Sequence, residues 1–265
     1  MVKWMLMRAR RDGLRKTLEN APRQLVGEIR FLAAKFSGAK SVQSVYGPRF
    51  SANYEDATFR FYINGHYHPF LSDTLKGLEN PFIFVDVGAN QGLYALVAQS
   101  NACCLEAHAY EPVASTFELL TKNVHLNAAD KVTPHNCAVS DVDGPLSISY
   151  RPRHSGGARI SDERDGFLQA TIQGVSAQTL DRHIPNSDAR DIFVKIDTEG
   201  HEPIVLAELR KAALWRHVKY LYFEADNNRH ETRPIVQALE QEGFSEVWRT
   251  PDRTSHFDML MARSG

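Results

Sequence analysis

Cysteine is scarce: three in 265 residues, at positions 103, 104 and 137. An odd count with two residues adjacent excludes a disulfide framework and suits a reducing compartment. Long apolar runs are also missing. No stretch nears the about 20 residues of a membrane span. The apolar segment Trp4 to Met7 is closed by Arg8 and is too short for a signal-peptide core. A cytoplasmic protein is expected. Internal repeats and low-complexity tracts are absent. Hydrophobic residues make up 43% and charged residues 24%, which excludes collagen-like, coiled-coil and disordered chains.

Net charge is nearly absent too, at −1. That total conceals an asymmetry. Residues 1–40 hold 10 Lys/Arg against 3 Asp/Glu, and the remaining 225 carry a balance of −8. A basic arm therefore precedes an acidic body. In the arm, Leu14, Leu18, Leu25, Ile29, Leu32 and Phe36 fall on one helical face, and Pro22 is expected to split it into two helices. The arm has three readings. Its apolar face packs on the body or a second subunit. Or it lies at the inner surface of a membrane, as Trp4, Met5, Leu6 and Met7 beside Arg8, Arg10 and Arg11 suggest. Or it touches nucleic acid, which the acidic body opposes.

Residues 41–80 read as a lead-in of hairpin and helix. Phe59 to Ile63 is strand-like and Asn64-Gly65 is a hairpin turn. His66 and His68 would alternate on one strand face, too few for a metal site. From residue 81 to 265 the pattern alternates strand and helix, with strands at Phe82–Val87, Leu105–Tyr110, Lys131–Asn136, Ile192–Ile196 and Val218–Phe223. This predicts an α/β domain with a mainly parallel sheet, helices on both faces and chemistry beyond the strands' carboxyl ends. Leu146–Tyr150 and Leu168–Val175 read as an inserted β-hairpin joined through Gly156-Gly157. Glu246–Thr250 and His256–Ala262 read as a terminal strand pair.

Asp86-Val87-Gly88-Ala89-Asn90-Gln91-Gly92 follows the first strand. Its glycines lie four apart, unlike a dinucleotide fingerprint, and it lacks the Gly-Lys-Ser/Thr of a P-loop. Asp86 would repel a pyrophosphate but suits a cationic or hydroxyl-bearing ligand. The bland alternative is a tight turn with Asn90 as helix cap. Glu111 ends the second strand, where an acid accepts hydrogen bonds from ribose hydroxyls. The alternative there is a solvated loop carboxylate. Together the two sites suit a nucleoside held without phosphate, and S-adenosylmethionine is such a ligand.

Phe84 to Tyr94, Tyr110-Glu111-Pro112, Asn123 to Asn127, Ala138 to Asp141, Thr179-Leu180-Asp181 and Val194-Lys195-Ile196-Asp197-Thr198-Glu199-Gly200-His201-Glu202 resemble the FkbM-type S-adenosylmethionine-dependent methyltransferases. The resemblance covers roughly residues 80–225. It implies a Rossmann-like class I methyltransferase fold of seven strands, the last antiparallel. It places Asp86, Gly88, Ala89, Asn90 and Gly92 at the methionine part, Glu111 and Pro112 at the ribose, and Cys137-Ala138-Val139 along the adenine. It also implies a hydroxyl acceptor, most often on a sugar or natural product.

Lys195, Asp197, Glu199, His201 and Glu202 crowd the fourth strand end. Helix capping by Thr198 or Asp197 explains part of the cluster. A sugar hydroxyl is a poor nucleophile, so a base or metal should assist it. His201 is a candidate base; its bland reading is a surface histidine. Asp197 and Glu224 are candidates for base, cofactor contact or Mg²⁺ ligand. The fourth strand lacks the Asn/Asp-Pro-Pro-aromatic pattern that clamps planar amines, which favours O-methylation. A saccharide acceptor is expected, with RNA 2′-O-methylation or a non-catalytic scaffold as rivals. The loop Arg151 to Ala158 could serve as a lid, and Asn227, Asn228 and His230 could meet sugar hydroxyls or simply build a turn.

Overall fold

The computed structural model describes residues 14–67, 69–160, 166–185, 190–251 and 255–263, with side chains from Pro22 onward. A long helix, α1 (Leu14–Ser37), leads into a small antiparallel pair, β1 (Ser41–Gln43) and β2 (Arg49–Ser51), and two short helices, α2 (Ala57–Asn64) and α3 (Phe70–Gly77). Then β3 (Phe82–Val87), α4 (Leu93–Gln99), β4 (Cys104–Tyr110), α5 (Ala114–Leu126) and β5 (Val132–His135) alternate. An insertion follows: β6 (Ala138–Val139), β7 (Gly144–Arg151), β8 (His154–Ile160) and β9 (Leu168–Val175). The chain continues through α6 (Ala177–His183), β10 (Asp191–Ile196), α7 (Glu202–Lys211), β11 (Val218–Asp226), α8 (Thr232–Gln241), β12 (Phe244–Arg249) and β13 (His256–Arg263).

Seven strands form the main sheet in the order β12-β13-β11-β10-β3-β4-β5. Neighbours from β11 through β5 are parallel, and β13 runs antiparallel to β11 and β12. This is the Rossmann-like arrangement the resemblance implied, with the last strand reversed. Every residue of β3 is buried, because helices cover both faces of the sheet and its strand must be apolar on both. Ile83, Val85 and Val87 face a core shared with Val194, Ile196 and Val205. Phe82 and Phe84 face the other core, which includes Phe59, Ile63 and Leu71 from the lead-in. The lead-in thus packs into the main core. No helix among the described residues is long and apolar enough to cross a membrane.

Several expectations need correction. Residues 59–63 are helical in α2, not a strand. Thr58, Phe59, Tyr62 and Ile63 are buried at helical spacing, Asp56 accepts the Thr58 N–H as cap, and Gly65 closes the helix in the left-handed region at φ 74°. The five-residue apolar run was too short to separate the two periods. Asn64-Gly65 is accordingly a helix end. His66 follows that end and stacks on Phe61 at 4.2 Å; His68 lies outside the described residues. Pro22 does not split the arm, because α1 runs through it and is held further on by Gln24, Gly27 and Phe31 against α2. A Cβ on Gly27 would lie 2.4 Å from Asn64 Cα. The face that packs is therefore not the expected one: Leu25, Ile29, Leu32 and Phe36 point outward. The insertion has three antiparallel strands rather than two, with Gly156-Gly157 inside β8. The reversal falls at Pro152-Arg153, since Arg151 pairs with His154.

Candidate functional site

A cavity of ≈350 Å³ opens beyond the carboxyl ends of β3, β4, β10 and β11. Its floor is two interlocked strand-end loops. Gly88, at φ 79°, and Asn90, at φ 50°, turn the chain after β3, and the Gly88 and Ala89 N–H groups both donate to Tyr110 O. A Cβ on Gly88 would lie 1.9 Å from Asp197 O, so only glycine lets the loop after β10 approach. Beneath this contact, the buried Lys195 Nζ donates to Gly88 O at 2.9 Å and pairs with Asp86 at 3.0 Å and Asp197 at 3.6 Å. Burial alone would lower the Lys195 ammonium, but Asp86 and Asp197 outweigh it and its pKa is raised. Lys195 therefore keeps its proton and cannot act as a base.

Gly88, Ala89, Asn90, Glu111, Pro112 and Ala138 line one end of the cavity. Asp86 and Gly92 do not. Asp86 is fully buried under the turn as the partner of Lys195. Gly92 begins α4 at φ 91°, where a Cβ would meet Leu120 at 2.5 Å. Its requirement is that left-handed backbone conformation, since the tip of the Leu120 side chain could move aside. Asn90 does not cap α4, because its Oδ1 accepts from Gln91 N. Glu111 is not a solvated loop carboxylate. It is buried, and its oxygens accept the Asn90 and Val113 N–H groups at 3.0 and 2.9 Å. Burial pushes it up to about 7, against the pull of these two N–H groups. Each oxygen retains acceptor capacity for a ligand hydroxyl.

The opposite end is acidic. Oxygens of Asp197, Glu199 and Glu224 come within 4.8 Å of one another. Glu199, in the left-handed region at φ 57°, pairs with Arg159 at 3.5 Å and Arg229 at 2.9 Å. Glu224 Oε1 bonds His256 Nε2 at 2.5 Å. Burial, then Asp197 and Glu199, push Glu224 up to about 7, and the bond to Glu224 raises His256. Like charges confined this closely are relieved by retaining a proton. A cation could relieve them too, but Glu199 is already neutralised by two arginines.

His201 occupies the cap position of α7 without a side-chain cap bond, so neither Thr198 nor Asp197 caps that helix. The buried Glu202 instead ties the preceding loop to the helix start, accepting the Thr198 and Gly200 N–H groups and the Thr198 hydroxyl. His201 faces the cavity, bonds Ser140 Oγ at 3.0 Å, and burial lowers its pKa. It is not a plain surface histidine.

Sequence reasoning missed the lead-in's share of the roof, while the segment Arg151 to Ala158, expected as a lid, does supply part of it. Tyr62, His66 and Tyr67 from the lead-in, and Ser155, Gly156 and Arg159 from β8, line the cavity. One carboxylate joins these parts. Asp56, buried, accepts from Thr58 N and Ser155 N through Oδ1, and from Gln91 Nε2 and Ser155 Oγ through Oδ2. Gly156 N also donates to Thr58 Oγ1. Arg151 stacks over Phe167 at 4.1 Å instead of reaching the cavity. Asn227 and Asn228 build the turn after β11, with Asn227 accepting from Thr232 N and Asn228 donating to Asp226. His256 was also missed. It begins a strand antiparallel to β11, so the start of one strand lies beside the end of the other.

The sheet order and the glycine-turn cavity at its switch point define a Rossmann-like protein of the methyltransferase type. Residues 86–246, more than half of the chain, match the methyltransferase FkbM domain, and the chain belongs to that family. It is 29% identical over 217 residues to "Methyltransferase sdnD" of Sordaria araneosa, covering 69% of this chain and 82% of that protein. It is 21% identical over 185 residues to "Methyltransferase 1" of Beauveria bassiana, covering 63% and 74%. Among solved structures, the ribosomal protein L11 methylase of Lactobacillus delbrueckii subsp. bulgaricus superposes with a TM-score of 0.42 at 15% identity, covering 82% of each chain. That score is too low to carry a functional comparison.

Proposed function

We propose that this methyltransferase uses S-adenosylmethionine to methylate a hydroxyl, on a saccharide of a glycan, glycolipid or natural product. The observation that carries the reading is the Glu224–His256 pair, hydrogen-bonded at 2.5 Å at the acidic end of the same cavity that holds the glycine turn and Glu111. S-adenosylmethionine supplies the electrophilic methyl when bound. Ala89 and Asn90 at the turn, Glu111, Pro112 and Ala138 would hold its nucleoside and amino-acid parts. The reaction is an in-line displacement, in which the acceptor oxygen bonds the methyl carbon while the carbon–sulfur pair leaves with sulfur. The hydroxyl proton must go to a base. Glu224 with His256 is placed to take it, and Asp197 to orient the hydroxyl. His201, neutral near pH 7, is the second candidate. Lys195 and Glu199 position their neighbours: one holds Asp197, the other Arg159 and Arg229.

The balance of −8 carried by the residues after the basic arm supports a neutral polyhydroxyl acceptor over RNA, whose phosphates that field would repel. Mg²⁺ held by Asp197 and Glu224 is the rival to proton transfer through His256. The test is mass spectrometry of a glycan, glycolipid and metabolite extract incubated with the protein and methyl-labelled cofactor. A labelled methyl ether is expected. Calorimetry showing no cofactor binding would remove the reading altogether.

A further inference from the structure

α1 is apolar on two faces, and among the described residues only one is covered. Gln24, Gly27 and Phe31 face α2 and are buried. On the other side Leu25, Ile29, Leu32 and Phe36 are 44%, 58%, 54% and 97% exposed, with Val26 beside them at 46%. Their steps of 4, 3 and 4 residues sum to one eleven-residue period, which keeps them in a straight line on the helix. The line is about 16 Å long. The same step sequence occurs just before it in Leu14, Leu18, Ala21 and Leu25. A line of large apolar side chains in water marks a docking surface.

Charge selects the occupant. Residues 22–40 carry Arg23, Arg30, Lys35 and Lys40 against the single acid Glu28. That acid is turned inward, onto Arg60 and Asn64. Residues 1–21 add Lys3, Arg8, Arg10, Arg11, Arg15 and Lys16 against Asp12 and Glu19. A second copy of this chain would set one basic arm against another, so self-association along the stripe is opposed by its own field. Arg23 lies over the Tyr46 ring and Lys35 is 3.8 Å from Glu55, but the arm as a whole keeps a strong positive balance, and an anionic lipid surface complements both that charge and the apolar line. The acidic body, repelled by the same lipid, would stay away from it. We propose that α1 docks the protein on an anionic membrane surface, with Leu25, Ile29, Leu32 and Phe36 inserted among the headgroups. α1 packs on α2, which carries Tyr62 of the cavity roof.

Vesicle flotation tests this with the full-length protein. Vesicles of phosphatidylcholine alone are compared with vesicles containing about one third phosphatidylserine, at low and high salt. Recovery with the anionic vesicles should exceed that with neutral ones at least about tenfold, and fall as salt rises. The variant Ile29→Ser, Leu32→Ser, Phe36→Ser should lose flotation while circular dichroism and melting show an intact fold. A second variant, Arg8→Glu, Arg10→Glu, Arg11→Glu, leaves the stripe in place and should lose the preference for anionic vesicles. Equal recovery with both vesicle types, or unchanged flotation of the serine variant, overturns the proposal. So does light scattering that shows a wild-type dimer dissociated by the serine variant, which would make a second copy the occupant.

Discussion

The Glu224 carboxylate and the His256 imidazole, drawn from the end of β11 and the start of β13, bond at 2.5 Å. The antiparallel register brings them together, pairing Glu224 with Asp258 and Asp226 with His256. The pair lies beside Asp197 at one end of the cavity, where burial and like charge delay the ionisation of Glu224. A group that releases its proton near neutrality can also accept one from a substrate.

If the pair is the base, turnover has an acid limb near pH 7. Glu224 is raised to about 7, so below that pH the pair is fully protonated and turnover falls. Above it, the ionised form dominates and turnover is retained. Glu224→Gln and His256→Asn should each lower kcat by roughly 10²–10⁴-fold with little change in cofactor affinity. Wild-type turnover in both variants, with a loss in His201→Ala, would transfer the role to His201.

Chelation should leave turnover unchanged, because Glu199 is already paired with Arg159 and Arg229. Loss of activity on dialysis against EDTA, restored by Mg²⁺, would show instead that Asp197 and Glu224 hold a cation.

Glu111 links cofactor affinity to pH. Its pKa is raised by burial from 4.5 to about 7. A ribose hydroxyl donates best to the ionised carboxylate, so S-adenosylmethionine should bind more tightly as pH rises from 6 to 8. The stability of the cofactor-free protein should follow the opposite trend. The unfolded chain ionises this group first, so its contribution to stability falls as pH rises from 4.5 through about 7. Glu111→Gln should flatten both trends, measured by calorimetry and by melting temperature across pH.

Gly88→Ala should cost about 1–3 kcal/mol of stability and abolish cofactor binding. The added carbon would meet Asp197 O at 1.9 Å and sit at φ 79°. Both strand-end loops would have to separate. Unchanged melting and calorimetry would show that the loops do not need this contact.

Asp56→Ala removes the acceptor of four hydrogen bonds at once. The Thr58 and Ser155 N–H groups would lose their acceptor, at about 1–3 kcal/mol for each group left unsatisfied. Hydrogen exchange should quicken in residues 56–67 and 153–160, while the sheet strands stay protected. Uniform protection across both segments would remove Asp56 as the joint between roof and floor.

The sequence by itself determined the α/β alternation, the glycine turn after β3, the acid ending β4 and the Lys-Ile-Asp-Thr-Glu-Gly-His-Glu loop. Each is a local signal: strand and helix periods, turn chemistry and residue order are carried by neighbours in the chain. The tertiary structure decided what each residue does. Asp86 and Lys195 pair beneath the turn, because the strands of β3 and β10 lie side by side with Asp86 opposite Lys195, and of the two only Lys195 also lines the cavity. His256 and Asp56 carry no local mark of function. They join the cavity through strand register and through packing across 99 positions of chain, from Asp56 to Ser155. The arm shows the same limit from the other side. Periodicity located its apolar line, but which face of α1 meets the body depended on Gly27, which alone lets α1 approach α2 so closely. Long-range proximity is set by the packing of the whole chain, and no local pattern encodes it.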